Sequence, residues 1–577
     1  MKKMMLGNEA VARGLYEAGC RYVSSYPGTP STEITEFVSE YNEVYAEWAP
    51  NEKVAAESAY GAAISGARAF CAMKHVGLNV AADPLFVMSY TGINGGLVVA
   101  VADDPGMHSS QNEQDSRHYA ISAKLPMLEP TDSAECLAFT KLAFEISEKF
   151  DTPVILRLST RVSHSQSMVS LSDREEIAIK PYTKDPAKFV MAPANAIKRH
   201  VVAEARLKEI AEYANTMSEN RTEYNDKKTG VICAGSTYAY AREALGDTVS
   251  YLKLALVNPL PEKLICDFAA NVEKVIVIEE LDPIIENFVK ALGIECSGKD
   301  ILPNLGEFSQ ELLEKCILGK TNESCSIDDE IPVRPPVMCP GCPHRGLFYV
   351  LKKLGVTVSG DIGCYTLGSA PPLTAVDTTL CMGASISALH GMNKCLGIDP
   401  KKSVAVIGDS TFAHSGMTGL MNLVYNKAHS TVIISDNSIT GMTGHQQNPF
   451  TGKTLKGEDT YQIKIEEVCR ALGVKDVKII DPNNMKELEN GIKDSLSREE
   501  VSVIIARRPC VLLKSVKKDK LFVIDTEKCK SCKACMKIGC PAISMSENKA
   551  VIDSSLCTGC GLCEGMCAFG CITGKSK

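Results

Sequence analysis

The sequence predicts an α/β protein: three doubly wound units in series, followed by a small cysteine-dense tail. Three observations carry that prediction. Short apolar runs of strand character alternate with helical stretches along most of the 577 residues. A polar stretch from 319 to 336, ending in Pro332, Pro335 and Pro336, interrupts the alternation. Nine of the 24 cysteines fall after residue 515.

The elements follow in chain order. Tyr22 to Tyr26 reads as a strand that ends in the turn Pro27-Gly28-Thr29-Pro30. Glu52 to Arg68 is rich in Ala and Gly and predicts a closely packed helix. Gly95 to Ala102 and Pro153 to Leu158 are buried-strand candidates. The pattern weakens over 161–195, which reads as a linker. Thr229 to Gly235 and Lys274 to Glu280 are the strands of a second α/β unit. The expected boundaries are 1–180, 181–330, 331–515 and, for the tail, 516–577. A chain of this length suggests about three or four domains.

Composition narrows the function classes. Apolar residues are 45% and charged residues 23%, an ordinary globular mixture. The net charge of −8 and the lack of a basic stripe exclude a nucleic-acid binder. No apolar run approaches the roughly 18 residues of a membrane span. The start, Met1-Lys2-Lys3-Met4-Met5-Leu6, has charge but no apolar core of a secretory signal, so the expected location is cytoplasmic. In such a setting 24 cysteines argue for metal ligands rather than disulfides.

The tail carries two C-x2-C-x2-C runs, each with a fourth cysteine: Cys529, Cys532, Cys535, Cys540 and Cys557, Cys560, Cys563, Cys567. That is the pattern of a bacterial two-[4Fe–4S] ferredoxin domain, in which the fourth cysteine of each run serves the other cluster. The expected ligand sets are Cys529, Cys532, Cys535 and Cys567, and Cys557, Cys560, Cys563 and Cys540. The first run has four residues before its last cysteine instead of three, a slightly larger loop. Cys571 reads as a packed free thiol. A pair of zinc knuckles is the alternative, but zinc sites often use histidine, and this tail has none.

In the third unit, Ser403 to Ile407 reads as a strand ending in Gly408-Asp409-Ser410, then a helix from Gly416 to Lys427, then the strand Thr431 to Ser435 ending at Asp436-Asn437. This βαβ unit sets Asp409 and Asn437 at the carboxyl ends of two parallel strands, the edge where open α/β sheets bind ligands. Their hard oxygens suit Mg²⁺ on a diphosphate. A strand-end Gly-Asp is also a common plain turn.

Gly408-Asp409-Ser410 followed by Asp436-Asn437 resembles the thiamine-diphosphate signature, departing from it at the last glycine and the first asparagine. Cys339-Pro340-Gly341-Cys342-Pro343-His344 and Ser359-Gly360-Asp361-Ile362-Gly363-Cys364 resemble the thiamine-binding half of 2-oxoacid:ferredoxin oxidoreductases. The resemblance covers essentially the whole chain, and the domain order is most similar to the large subunits of indolepyruvate:ferredoxin oxidoreductases. It implies three doubly wound thiamine-enzyme-type domains plus a small C-terminal two-[4Fe–4S] ferredoxin-like domain.

It also implies roles residue by residue. Asp409, Asn437 and the carbonyl of Ile439 would hold Mg²⁺; Asp361, Gly363, Gly383, Gly408, Asp409, Ser410 and Asn437 would border thiamine diphosphate. Cys339, Cys342, Cys364 and Cys510 would bind a proximal [4Fe–4S] cluster, the third in the chain. Taken singly, Cys364 and Cys510 read equally as buried apolar cysteines. Glu52 would be the carboxylate that activates the cofactor, with Glu57 as its neighbour and rival; alone, Glu52 is an ordinary helix-start acid. Thr29 would bond the substrate, and Arg117 would grip the substrate carboxylate bidentately or lie in a plain surface loop.

The implied reaction turns aryl 2-oxo acids, indolepyruvate or phenylpyruvate, and coenzyme A into aryl-acetyl-CoA, CO2 and reduced ferredoxin. A small beta subunit is the implied partner, in a heterotetramer of two alpha and two beta chains. Pyruvate, branched-chain or 2-oxoglutarate substrates stay open, because no pocket residue follows from spacing. A non-oxidative thiamine decarboxylase with an added electron-transfer tail, and a subunit that has lost catalysis, are the other readings.

Overall fold

The computed structural model describes residues 1–323, 329–395 and 397–576; residues 324–328 of the expected linker 319–336 lie outside the described residues. Two compact units result, Met1–Asp328 and Asp329–Lys577.

The first unit holds two sheets. One has seven strands in the order Leu256–Asn258, Met127–Leu128, Val154–Ser159, Leu97–Asp103, Ala69–Lys74, Tyr22–Ser25, Tyr45–Trp48. All its pairings are parallel except that of Leu256–Asn258 with Met127–Leu128. The other has five strands, with Thr229–Ala234 between the parallel neighbours Ser250–Leu254 and Lys274–Ile278. Leu97–Asp103 is buried at every position, which is why it reads as an unbroken apolar run.

The stretch 161–195, expected as a linker, is partly ordered structure. Gln166–Ser170 pairs antiparallel with Lys2–Leu6 over five residue pairs. Its alternation is weak because it is an edge strand with one face in solvent.

The second unit is built on a five-stranded, all-parallel sheet in the order Thr357–Ser359, Ser403–Gly408, Thr431–Asp436, Ser502–Arg507, Asp476–Ile480. Val404, Val406, Ile407, Ile433, Ile434, Val503, Ile504 and Ile505 are all fully buried. Each such side chain stabilises the fold by about 1.5–3 kcal/mol. The tail adds two antiparallel ribbons, Lys520–Ile524 with Ile572–Ser576 and Ile543–Ser546 with Lys549–Ile552. Among the described residues no helix is long and apolar enough to cross a membrane.

One buried acid of the first unit gives a stability prediction. Glu280 is sealed, with Phe308 N donating to Oε1 at 2.7 Å and Ser236 Oγ to Oε2 at 3.1 Å. Burial outweighs these bonds and pushes its carboxyl up to about 7 from an ordinary 4.5. Between those values the folded chain binds the proton more tightly, so stability falls as pH rises through that window. Glu280→Gln keeps both bonds, with Nε2 donating to Ser236 Oγ, and carries no charge. Relative to this variant, the wild type is expected to lose on the order of 3 kcal/mol between pH 5 and pH 8, read from urea midpoints. Equal pH dependence in both proteins would show that Glu280 titrates normally.

Candidate active site

In the first unit, the sheet's carboxyl edge gathers the expected acid and two residues the sequence did not single out. Asn51 caps the helix Glu52–Ile64, its side chain accepting from Val54 N at 2.9 Å. The cap fixes the first turn, and Glu52 is buried there, 4% exposed. Glu57, one turn on, is half-exposed and paired with Lys53. The buried carboxylate is therefore Glu52. It lies against Gly77 of the helix His75–Thr91, where an added Cβ would meet Glu52 Oε1 at 2.6 Å.

Lys74 and Asp104 stand at the same edge, at and just past the ends of Ala69–Lys74 and Leu97–Asp103. Lys74 Nζ donates to the Ser109 carbonyl at 2.9 Å, and burial lowers the affinity of its amine for the proton. Asp104 Oδ2 accepts from Ser109 N and Ser110 Oγ, and Oδ1 from Thr160 Oγ1 at 2.6 Å. Ser109 Oγ donates to the Thr29 carbonyl at 3.3 Å. The two loops expected near substrate, 26–31 and 108–117, thus meet through Ser109 and Thr29. Lys74 and Asp104 each interrupt an apolar stretch at a strand end, the signal that would have found them.

Arg117 is a correction. It is 1% exposed, and its fork is taken up inside the protein. Nε and Nη2 donate to Asp115, Nη1 to Glu279 Oε2 at 2.5 Å, and Nη2 also to the carbonyls of Glu280 and Asp282. A guanidinium satisfied by two buried carboxylates has no fork left for a substrate.

In the second unit, Ser403–Gly408 and Thr431–Asp436 run in register, Gly408 opposite Ser435, so Asp409 and Asn437 leave adjacent strand ends. Asp409 opens a helical stretch whose second segment, Phe412–Gly416, is a π-turn, a distortion frequent at functional sites. Ser410 is buried and donates its N–H to Asp409 Oδ1 at 2.8 Å. Asp409 Oδ2 is buried with no hydrogen-bond partner among the described residues. Burial and the charge of Asp436 hold its carboxyl well above the usual carboxylate range. A buried carboxylate at one strand end and the Asn437 amide at the next offer hard oxygens that fit a cation.

Asp361, expected to border the cofactor, is held from within the chain. Its carboxylate, wholly buried, accepts the backbone N–H groups of Ile362, Gly383 and Ser385 at 2.8–2.9 Å. It shapes the loop that carries Gly383. Gly383, held this way at φ +84, has no room for a side chain: a Cβ would meet Ser415 Oγ at 2.1 Å. Gly363 and Gly408 are both covered by the Tyr365 ring.

Two of the proximal cysteines, Cys510 and Cys364, lie near the Asn437 strand end. Cys510 N donates to the Asn437 carbonyl at 2.9 Å. A Cβ on Gly441 would lie 3.5 Å from Cys364 Sγ and 3.6 Å from Asn437 Nδ2. Cys339 and Cys342 share one turn, Cys342 N donating to the Cys339 carbonyl. Burial pushes Cys342 up to about 12 and Cys364 up to about 11, and each thiol feels charge on others of the set. Thiols raised in this way become thiolates together only around a cationic iron core, which is the fit a [4Fe–4S] cluster requires.

The tail has two cavities, each lined by one expected ligand set. Cys540, Cys557, Cys560 and Cys563 line one, and Cys529, Cys532, Cys535 and Cys567 the other. Cys571, read as a packed thiol, is buried on the second cavity with its Sγ 3.1 Å from that of Cys567. Among the described residues no three His, Cys, Asp or Glu converge on a single ion. Thiols placed around a cavity suit a cubane, which takes one at each corner.

Three family descriptions match this arrangement. Residues 361–506 match the C-terminal TPP-binding domain of thiamine pyrophosphate (thiamine diphosphate) enzymes. Residues 13–231 match the thiamine-diphosphate-binding domain of pyruvate flavodoxin/ferredoxin oxidoreductases, and residues 521–568 a 4Fe-4S dicluster domain. Thiamine-binding domains and a dicluster tail on one chain make this a thiamine-diphosphate-dependent oxidoreductase with iron–sulfur clusters. An indolepyruvate oxidoreductase subunit IorA from Archaeoglobus fulgidus is 41% identical, covering 98% of this chain and 96% of its own. Those of Pyrococcus horikoshii and Methanothermobacter thermautotrophicus are 41% and 40% identical, covering 99% and 100% of this chain and 96% and 98% of theirs. The chain belongs to the 2-oxoacid:ferredoxin oxidoreductase family, among the indolepyruvate oxidoreductase IorA subunits.

Proposed function

We propose that this chain is the catalytic subunit for CoA-dependent oxidative decarboxylation of aryl 2-oxo acids, indolepyruvate and phenylpyruvate among them. Ferredoxin takes the electrons, and a small beta subunit completes a heterotetramer. The observation that supports the oxidative part is the mutual proximity of Cys339, Cys342, Cys364 and Cys510 in the unit that carries Asp409 and Asn437. The aryl preference rests on about 40% identity with indolepyruvate oxidoreductase subunits over nearly the whole chain.

When bound, thiamine diphosphate supplies the electron sink for decarboxylation. Glu52 holds a proton at the aminopyrimidine, the role for which a buried carboxylate at a capped helix start is suited. Asp409, Asn437 and the Ile439 carbonyl hold Mg²⁺ and with it the diphosphate. Thr29 lines the substrate side. Cys339, Cys342, Cys364 and Cys510 hold the first of three [4Fe–4S] clusters, and the tail's eight expected ligands hold the other two. The working division is 1–180 for the pyrimidine domain, 181–330 for a connecting domain, 331–515 for the diphosphate domain and 516–577 for the ferredoxin domain.

The test is anaerobic viologen reduction by the enzyme with its beta subunit, across a panel of 2-oxo acids plus coenzyme A. Indolepyruvate and phenylpyruvate are expected to give the highest kcat/KM, ahead of pyruvate by at least tenfold, a difference of about 1.4 kcal/mol in transition-state binding. Equal or better turnover of pyruvate or 2-oxoglutarate would remove the aryl assignment. Decarboxylation with no dye reduction would favour the non-oxidative reading.

A further inference from the structure

Arg345 lies in the first turn of the helix His344–Leu354, three residues after Cys342, and is 2% exposed. Its guanidinium joins two separate cysteine-bearing segments. Nε donates to the Cys339 carbonyl at 3.2 Å and Nη2 to the Met338 carbonyl. Nη1 donates to the carbonyls of Ile538, at 3.1 Å, and Gly539, the two residues before Cys540. Arg345 also lines the cavity of Cys540, Cys557, Cys560 and Cys563.

Every one of these acceptors is a neutral carbonyl. Among the described residues Arg345 forms no ion pair with an acid, unlike Arg117, Arg157 and Arg68, whose buried forks all meet carboxylates. A buried cation without an anion is costly, because carbonyl dipoles replace only part of its hydration. The cysteines around it belong to both sets: Cys339 gives it a backbone carbonyl, and Cys540 and Cys560 line the same cavity. A [4Fe–4S] core held by four thiolates carries net negative charge, and reduction adds to it. Arg206 of the first unit is also buried on carbonyls alone, but no cysteine set lies beside it; at Arg345 both expected cluster sites adjoin the guanidinium and can supply the anion.

We propose that Arg345 is the shared counter-cation of the proximal cluster and of the tail cluster on Cys540, Cys557, Cys560 and Cys563. It positions the two ligand loops against each other and raises the affinity of both clusters for an electron. This rests on the functional reading above, which assigns a cluster to each set. A cation between two cofactors stabilises the electron on either of them, so it raises both potentials together and favours loading of the pair. The cluster on Cys529, Cys532, Cys535 and Cys567 lies outside its hydrogen bonds and cavity, and serves as an internal reference.

The test uses the complete enzyme reconstituted with iron and sulfide, in wild-type, Arg345→Lys, Arg345→Gln and Arg345→Met forms. Iron content and anaerobic redox titrations followed by electron paramagnetic resonance are the readouts. Arg345→Gln and Arg345→Met are expected to shift two of the three midpoint potentials to more negative values and leave the third in place. Arg345→Lys, which keeps the charge and loses the fork, is expected to stay near wild type. If the neutral variants lose iron and Arg345→Lys keeps it, the charge is again what matters. Unchanged potentials in a fully loaded neutral variant would overturn the proposal. So would equal changes in potential or iron content across the lysine and neutral variants, which mark a purely structural clamp. A wild-type content of about eight irons per chain instead fails the three-cluster reading itself.

Discussion

Glu52→Gln is expected to lower kcat by about 10²–10⁴-fold, the usual range for loss of a positioned acid–base group, with folding intact. Gln is isosteric with Glu, so the fit against Gly77 survives. The cap on the helix also survives, because Asn51 makes it. What disappears is a group able to accept and return a proton. Cofactor binding, followed by tryptophan or dichroism titration, is expected to change far less than turnover, since the diphosphate is assigned to Asp409 and Asn437. Glu57→Gln provides the contrast: its side chain is half-exposed and paired with Lys53, so its loss is expected to leave turnover unchanged. Full activity in Glu52→Gln, or a larger loss in Glu57→Gln, would give the catalytic role to another residue.

The parts of the fold that were legible are those whose partners are close in sequence or whose burial is complete. Ser403–Gly408 and Thr431–Asp436 are covered on both faces, so they appear as continuous apolar runs, and the strand-end pair follows from them. The cysteine runs of the tail were legible because ligand spacing is local, and each expected set lines its own cavity. What the sequence did not show has the opposite cause. Arg117 looked like a loop arginine because Glu279, more than 160 residues away, is invisible from the polar segment around it. Asp361 sits beside the signature residues in sequence, yet its three N–H donors include Gly383 and Ser385, brought to it by the turn after Cys381. Arg345 went unremarked because its two extra acceptors come from residues 538 and 539, in a different domain of the motif scheme.

The second large effect concerns the proximal cysteines, and it decides between oxidative and non-oxidative chemistry. Cys364→Ala and Cys510→Ala are each expected to remove about four irons per chain, from about twelve to about eight. Dye and ferredoxin reduction are expected to fall to background, because the tail clusters then have no first acceptor. The main alternative for these thiols is that each is an inert buried cysteine filling apolar space. Their surroundings argue against it: Cys364 is close to the Asn437 amide, Cys510 is tied to the Asn437 carbonyl, and both feel the charge of Asp409. Purely apolar packing does not put thiols within reach of a buried carboxylate. Burial raises the thiol Cys342 to about 12, so a thiolate there needs a cation to form at all. Cys469, buried in the same sheet's apolar core, is the control. Cys469→Ala is expected to keep the full iron content. An iron content unchanged in Cys364→Ala and Cys510→Ala would leave the thiamine site without its electron exit and turn the enzyme into a decarboxylase with a detached ferredoxin module.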